Sequence, residues 1–163
     1  MVIDAYACVG YYTLPMLVHG KAACVHACEW NPASIEGLRT SAALNGVESR
    51  LKVHDGNNAA SMATLHGVAN RVHLGLLPSS EPAWEAAIRC LNDEGGWLHV
   101  HMNVEEKAID DWVKATVNNL NLIASEWQRP WRLKPHHLER VKWFSPRVRH
   151  VVLDVQTVVN SMN

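Results

Sequence analysis

Short apolar runs alternate with stretches in which apolar residues recur every three to four positions, and the alternation persists along most of the chain. The first run, Val2-Ile3, predicts a strand over 2–4, followed by a short helix over 11–18 that stops at Gly20. A second strand is expected over 22–28, ending in Glu29. Asn31-Pro32 then reads as a helix start, with Asn31 as cap and Pro32 in the first helical position. Ile35, Leu38 and Ala42 share one face of that helix, and Asn45-Gly46 closes it. A third strand over 51–54 runs into Asp55-Gly56-Asn57-Asn58, and a weak helix over 60–66 leads to a fourth strand over 72–77, broken at Pro78. Trp84, Ala87, Ile88 and Leu91 mark the next helix, and Gly95-Gly96 turns into a fifth strand over 97–102. Ile109, Trp112, Val113, Thr116 and Leu120 define a long amphipathic helix. Strands over 133–144 and 148–155 flank Ser145-Pro146 too closely for a helical crossover, so they are expected to pair as a hairpin.

Strands alternating with helices and ending in a hairpin define an α/β fold, a mostly parallel seven-stranded sheet closed by a C-terminal antiparallel hairpin. At 163 residues the chain is one domain, with no internal repeat or linker. It has no apolar tract of membrane-spanning length. Asp4 interrupts the opening apolar run and no basic segment precedes it, which is not how a secretory leader reads, so a cytoplasmic location is expected. The four cysteines supply no disulfide framework and no paired zinc spacing, so they read as buried thiols. Trp84 and Trp112, at helical spacing, read as core.

The net charge of −1 hides an asymmetry. Between residues 126 and 150 lie seven basic residues (Arg129, Arg132, Lys134, Arg140, Lys142, Arg147, Arg149) against Glu126 and Glu139, with Trp127, Trp131, Trp143 and Phe144 among them. Such a cluster suits a phosphate backbone, and it equally suits two sheet strands with solvated edges. His99 and His101 share a strand face and invite a metal reading with His136-His137. No carboxylate or cysteine stands at a suitable spacing, so no metal is expected.

In sheets of this kind ligands bind beyond the carboxyl ends of the strands. Here those ends are Asp4 to Gly10, Glu29-Trp30, Asp55 to Asn58 and Pro78 to Glu81, all polar or small. The first resembles a nucleotide-binding turn with Cys8 at the middle glycine position. Glu29 follows Gly10 by 19 positions, near the spacing at which an acid reaches ribose hydroxyls. The Asn57-Asn58 pair suits an adenine edge, and a capped turn accounts for it equally well.

The motifs Asp4-Ala5-Tyr6-Ala7-Cys8-Val9-Gly10-Tyr11-Tyr12, Cys28-Glu29-Trp30-Asn31-Pro32, His54-Asp55-Gly56-Asn57-Asn58, Leu77-Pro78-Ser79-Ser80-Glu81 and His150-Val151-Val152-Leu153-Asp154 carry a resemblance over nearly the whole chain. It is similar to class I S-adenosylmethionine-dependent enzymes with a Rossmann-like methyltransferase fold. More narrowly, it resembles the tRNA wybutosine-synthesising protein 2 family of tRNA 3-amino-3-carboxypropyl transferases, relatives of the tRNA guanine-N1 methyltransferases. The Leu-Pro-Ser-Ser-Glu segment is the most diagnostic part.

The resemblance implies S-adenosylmethionine as aminocarboxypropyl donor, held by Asp4, Tyr6, Ala7, Gly10, Glu29, Trp30, Asn57 and Asn58, with Glu29 on the ribose and the Asn pair on the adenine. It implies a substrate pocket at Pro78, Ser79 and Ser80, with Asp55 nearby and no general base identified. The partner it implies is a phenylalanine-type tRNA, modified on the wyosine precursor base next to the anticodon. Cys8, Asn57 and Ala59 stand where the family usually has Gly, Asp and Arg. A side chain at Cys8 is expected to be tolerated if the local φ is negative. Members of the family carry a preceding region, so residues 1–163 are expected to be the single transferase domain at the C-terminal end of a longer protein. A tRNA guanine-N1 methyltransferase and a catalytically silent tRNA- or partner-binding module are the alternatives on the same fold.

Overall fold

The computed structural model describes residues 1–159. Its sheet contains β1 (Val2–Asp4), β2 (Val25–Glu29), β3 (Leu51–Asp55), β4 (Arg71–Leu74), β5 (Trp97–Glu105), β6 (Trp131–Ser145) and β7 (Val148–Val159) in the order β3-β2-β1-β4-β5-β7-β6. β1 to β5 are mutually parallel, β7 is antiparallel to β5, and β6 pairs antiparallel with β7. β7 is thus the one strand running against the rest. The chain winds outward from β1 to β3 and then returns to place β4 beside β1, so the order reverses between those two strands. That reversal opens a crevice at the carboxyl edge.

Helices α1 (Thr13–Val18) and α2 (Pro32–Leu44) cover one face of β1 to β3, burying Leu17, Val25, Leu38, Ala42 and Val47. Helices α3 (Asn58–Ala63), α4 (Trp84–Cys90) and α5 (Ile109–Glu126) cover the opposite face, where Ile3, Val72, Leu74, Leu98, Val100, Leu153 and Val155 meet Trp84, Ile88, Leu120 and Trp131. Each fully buried aliphatic side chain there contributes about 2 kcal/mol by leaving water. α5 carries Asp110 and Asp111 in its first turn, complementing the helix dipole. From α5, Asn121 donates to the Leu133 carbonyl at 2.9 Å and accepts the Leu133 amide at 2.8 Å, binding β6 to the helix. The face of β4, β5 and β7 turned away from α5 is polar, lined by Arg71, His73, His99, His101 and Asp154 and bordered by Tyr12 and Met16.

The expected elements are all present, with altered ends. α1 starts at Thr13 rather than residue 11, because Tyr11 and Tyr12 belong to the turn that leaves β1. β2 starts at Val25, after Lys21 takes a positive φ of 49° and breaks the extension. α3 starts two residues early, since the Asn57 side chain accepts the Ala60 amide and caps it. β4 stops at Leu74, because the chain leaves the sheet at Gly75, packed on the His73 ring where a Cβ would lie 2.7 Å from Cε1. β5 continues to Glu105 and β7 to Val159, because the hairpin gives each a partner beyond the parallel sheet.

Of the cysteines, Cys28 and Cys90 are buried thiols, pushed up to about 12 chiefly by burial, but Cys24 is only half-buried and Cys8 is exposed. Cys8 adopts φ 49°, the left-handed region, contrary to the negative φ expected of a tolerated side chain there. The turn from β1 into α1 needs a left-handed residue at that point, and Cys8 takes that conformation at a strain of about 1–2 kcal/mol. No helix among the described residues is long and apolar enough to cross a membrane.

Candidate functional site

The loops after β1, β2, β3 and β4 converge on a cleft of 590 Å³, lined by Tyr6, Trp30, Gly56, Asn57, Asn58, Ala59 and Leu76. This volume lies within the range of small-molecule sites. Its walls are built by the strand ends that sequence reasoning singled out. Gly56 donates its amide to the Glu29 carbonyl at 3.1 Å, joining the ends of β2 and β3.

Beneath the cleft, Glu29 is almost fully buried and accepts three backbone amides. Oε2 receives Cys8 N at 2.8 Å, and Oε1 receives Trp30 N at 3.0 Å and Asn31 N at 2.8 Å. One carboxylate therefore fixes the turn after β1 against the start of α2, and a carboxylate with about four acceptor positions keeps capacity for one more donor. Gly10 lies in that turn at φ 101°, with Leu38 Cδ1 only 2.7 Å from where a Cβ would stand. The glycine lets the turn pack directly on α2.

Asp4 is wholly buried. Its carboxylate accepts the Thr13 hydroxyl at 2.7 Å, lies 3.5 Å from the Tyr6 amide, and faces His73 Nδ1 at 3.4 Å. It shapes the turn from below and offers no free oxygen to a ligand in the cleft. Ala7 is likewise buried, its amide tied to the Cys28 carbonyl. Burial raises the Tyr6 phenol above its ordinary value, with Cys28 adding to the shift, so the hydroxyl stays protonated.

Asn57 and Asn58 have separate duties. Asn57 Oδ1 is committed to capping α3, which is the capped turn weighed from sequence. Asn58 Nδ2 donates to the Ala5 carbonyl at 2.7 Å, while its buried Oδ1 has no partner among the described residues. An unpaired buried acceptor in a cleft wall suits a ligand carrying a hydrogen-bond donor.

The segment after β4 crosses toward β5 through a cis Leu77-Pro78 bond. Pro78 O accepts the Asn103 amide at 2.9 Å, and Ser79 forms an antiparallel bridge with Met102. Ser79 Oγ accepts the Glu81 amide at 3.1 Å, and the buried Ser80 Oγ accepts the Trp84 indole at 3.3 Å. Both hydroxyls therefore hold the loop in shape, and Ser80 faces the core, where the resemblance had implied a pocket residue. Asp55 is exposed at the end of β3, outside the cleft lining.

Sequence reasoning missed Leu76, whose apolar character read as strand, and it missed a line of rings behind the site. Tyr12 packs on His73 at 4.1 Å, His73 meets His101 edge-on at 4.6 Å, and His101 Nδ1 lies 3.1 Å from His150 Nε2. His99 bridges Asp154 at 2.6 Å and Arg71 at 2.7 Å. Burial, followed by the neighbouring His73, His150 and His99, lowers His101 to about 3. Spacing of alternate positions on β4, β5 and β7 carries this signal, but pairing β5 with β7 requires the hairpin register. No cluster of three or more side chains with metal-binding geometry occurs among the described residues.

The chain is similar to known proteins along nearly its whole length. The TRM5/TYW2 methyltransferase domain model matches residues 1–129. The tRNA wybutosine-synthesizing protein 2/3/4 of Arabidopsis thaliana is 45% identical over 156 residues, covering 96% of this chain and 16% of that protein. The tRNA wybutosine-synthesizing protein 2 homolog of Danio rerio is 36% identical over 186 residues, covering 95% of this chain and 45% of that protein. The chain thus spans under half the length of these relatives. Among solved structures, M. jannaschii TYW2 in complex with AdoMet superposes with a TM-score of 0.82 at 25% identity, over 98% of this chain and 68% of that one. P. horikoshii TYW2 in complex with MeSAdo gives 0.81 at 26% identity, over 96% and 56%.

Proposed function

Because this chain belongs to the TRM5/TYW2 methyltransferase domain family, we propose that it is the S-adenosylmethionine-dependent transferase domain of a longer wybutosine-synthesising protein. In this reading it moves the 3-amino-3-carboxypropyl group to the wyosine precursor base beside the anticodon of phenylalanine tRNA. The observation that carries it is the convergence of four strand-end loops on one cleft backed by Glu29 and Asn58. The crystallised TYW2 relatives, one with AdoMet and one with MeSAdo, support the same assignment.

The residues present fit the cofactor. The unpaired Asn58 Oδ1 suits the adenine amino group, and Tyr6, Trp30 and Leu76 offer flat and apolar walls to the base. Glu29 retains an acceptor position for a ribose hydroxyl. Gly10 and the left-handed Cys8 keep the β1 turn close to the cleft. When bound, S-adenosylmethionine supplies a sulfonium whose attached carbons are electrophilic. Which carbon reacts is decided by orientation, so the task of these residues is placement more than proton transfer. The acceptor base must be turned out of its stack to reach the cleft, through the Pro78-Ser79 side.

The assay is incubation of the full-length protein with S-adenosylmethionine and precursor-bearing tRNA. Release of methylthioadenosine supports aminocarboxypropyl transfer. Release of S-adenosylhomocysteine would instead make the domain a methyltransferase, and failure to bind the cofactor in calorimetry would make it a silent module.

A further inference from the structure

The end of the β6–β7 hairpin is built unlike an ordinary sheet edge. β6 is the outermost strand, and its last stretch exposes Val141 by 46%, Trp143 by 52% and Phe144 by 63%. Edge strands are normally blunted by charge or shortness rather than tipped with large apolar groups. Register shifts in β6 fall between Arg140 and Lys142 and again between Trp143 and Ser145, leaving Val141 and Phe144 outside the ladder. Bulges of this kind re-aim side chains, and they concentrate beside functional sites.

Trp143 is held in a fixed pose. The Arg149 guanidinium lies 3.8 Å from the ring centroid, and its Nε donates to Glu106 Oε2 at 2.9 Å. Arg140 engages the other Glu106 oxygen at 3.6 Å. One carboxylate in the turn before α5 therefore fixes two cations, one of which lies against the indole. Lys142 and Arg147, by contrast, are exposed and have no carboxylate partner among the described residues.

The tip lies at the carboxyl edge of the parallel strands, since Glu105 at the end of β5 pairs with Val148 at the start of β7. The Pro78-Ser79 segment joins β5 at the same edge, through Met102 and Asn103. Adjacent strands lie about 4.8 Å apart, so β6 stands roughly 14 Å from the path of β4. A polymer seated beside Pro78 would have the tip within a few nucleotides' reach.

We infer that Trp143 and Phe144 form a stacking platform for unpaired nucleotides of an RNA loop, with Lys142 and Arg147 on the adjoining phosphates. Interleaved rings and unpaired cations suit a polyanion that presents bare base faces. A protein interface is usually depleted of lysine at its core. The inference rests on the RNA-modifying reading above and extends it to residues outside the cofactor cleft.

The test measures fluorescence anisotropy of the full-length protein with an RNA hairpin carrying an unpaired loop, and with the same strand annealed into a continuous duplex. Trp143→Ala combined with Phe144→Ala should weaken hairpin binding by about fivefold or more, and Trp143→Phe should retain most of it. Lys142→Ala with Arg147→Ala should weaken binding and flatten its dependence on salt. The platform is overturned if the double aromatic variant binds the hairpin as tightly as the parent, if duplex and hairpin bind equally, or if the parent binds neither. Calorimetry with S-adenosylmethionine separates the two readings. Cofactor binding by parent and tip variants alike, with RNA affinity unchanged between them, defeats the platform alone.

Discussion

The Glu29 carboxylate and the Cys8 amide meet at 2.8 Å across 21 positions of sequence, so the end of β2 and the turn after β1 form one rigid unit. The same carboxylate holds the Trp30 and Asn31 amides, so it is structural, and in the proposed reading it also receives the cofactor ribose.

Glu29→Ala is therefore expected to do two things. It should destabilise the domain by about 1–3 kcal/mol, because backbone donors lose a charged acceptor. It should also weaken S-adenosylmethionine binding by more than tenfold. Thermal denaturation and calorimetry read the two separately. A stable variant with unchanged cofactor affinity would remove Glu29 from the site.

Cys8→Gly should stabilise. Glycine occupies φ 49° without the Cβ strain that cysteine bears, a gain of about 1 kcal/mol. In a domain of this size that corresponds to about 2–4 °C in midpoint. Gly10→Ala should act in the opposite sense, since φ 101° and the 2.7 Å approach to Leu38 leave no room for a Cβ. Differential scanning calorimetry of the pair checks both signs, and a destabilised Cys8→Gly would mean that the turn relies on the side chain.

At Asn58 the two obvious substitutions separate packing from charge. Asn58→Ala loses the bond to the Ala5 carbonyl, a cost of about 1–3 kcal/mol. Asn58→Asp adds repulsion between a carboxylate and that carbonyl oxygen, so it should be the less stable of the two. Urea melts of both variants settle the order, and equal midpoints would show that the Ala5 contact contributes little.

Acid should destabilise the domain through its half-buried and buried histidines. His101 is lowered to about 3 and His26 to about 4, in both cases chiefly by burial. His73 and His150 then act on the first, His54 and Lys52 on the second. Burial also lowers His54, His99 and His150. A histidine held below its unfolded value of about 6.5 binds its proton more readily when the chain is open. Its stabilising contribution is therefore complete above that pH and declines as pH falls from about 6.5 toward 4 and 3. Melting midpoints at successive pH values should fall across this window, and His101→Gln should make the slope shallower. A midpoint unchanged between pH 7 and 5 would contradict the assignment.

Four residues that the sequence places at strand ends, Tyr6, Trp30, Asn57 and Asn58, come together in the wall of one cleft, because strand ends are where a parallel sheet collects its loops. What the sequence could not locate were duties set by hydrogen-bond partners. The hydroxyl of Ser80 is taken by Trp84, four residues on, and Asp4 is enclosed by Thr13 from the next helix and by His73 from β4. In each case an apparently ligand-facing polar group is absorbed by a contact inside the protein that residue type alone does not reveal. The apolar run 74–77 illustrates the converse: its hydrophobicity read as strand, while Leu76 leaves the sheet to line the cleft. The tryptophans divide in the same way, with Trp84 and Trp131 in the core and Trp30 and Trp143 at the surface.

Asn121 gives the long hairpin a mechanical character. The 15 residues of β6 extend for roughly 50 Å at strand spacing, and the two hydrogen bonds exchanged between Asn121 and Leu133 clamp the strand near its first end. A second hold, through Glu106 to Arg140 and Arg149, grips it near the other. Both holds originate on or beside α5, which packs against β6. A beam supported at both ends from a single strut keeps its tip at a constant height relative to the sheet. Whatever rests on that tip is thereby gauged against the carboxyl edge by α5, so shortening or bending this helix would displace the tip even with every residue of the cleft intact.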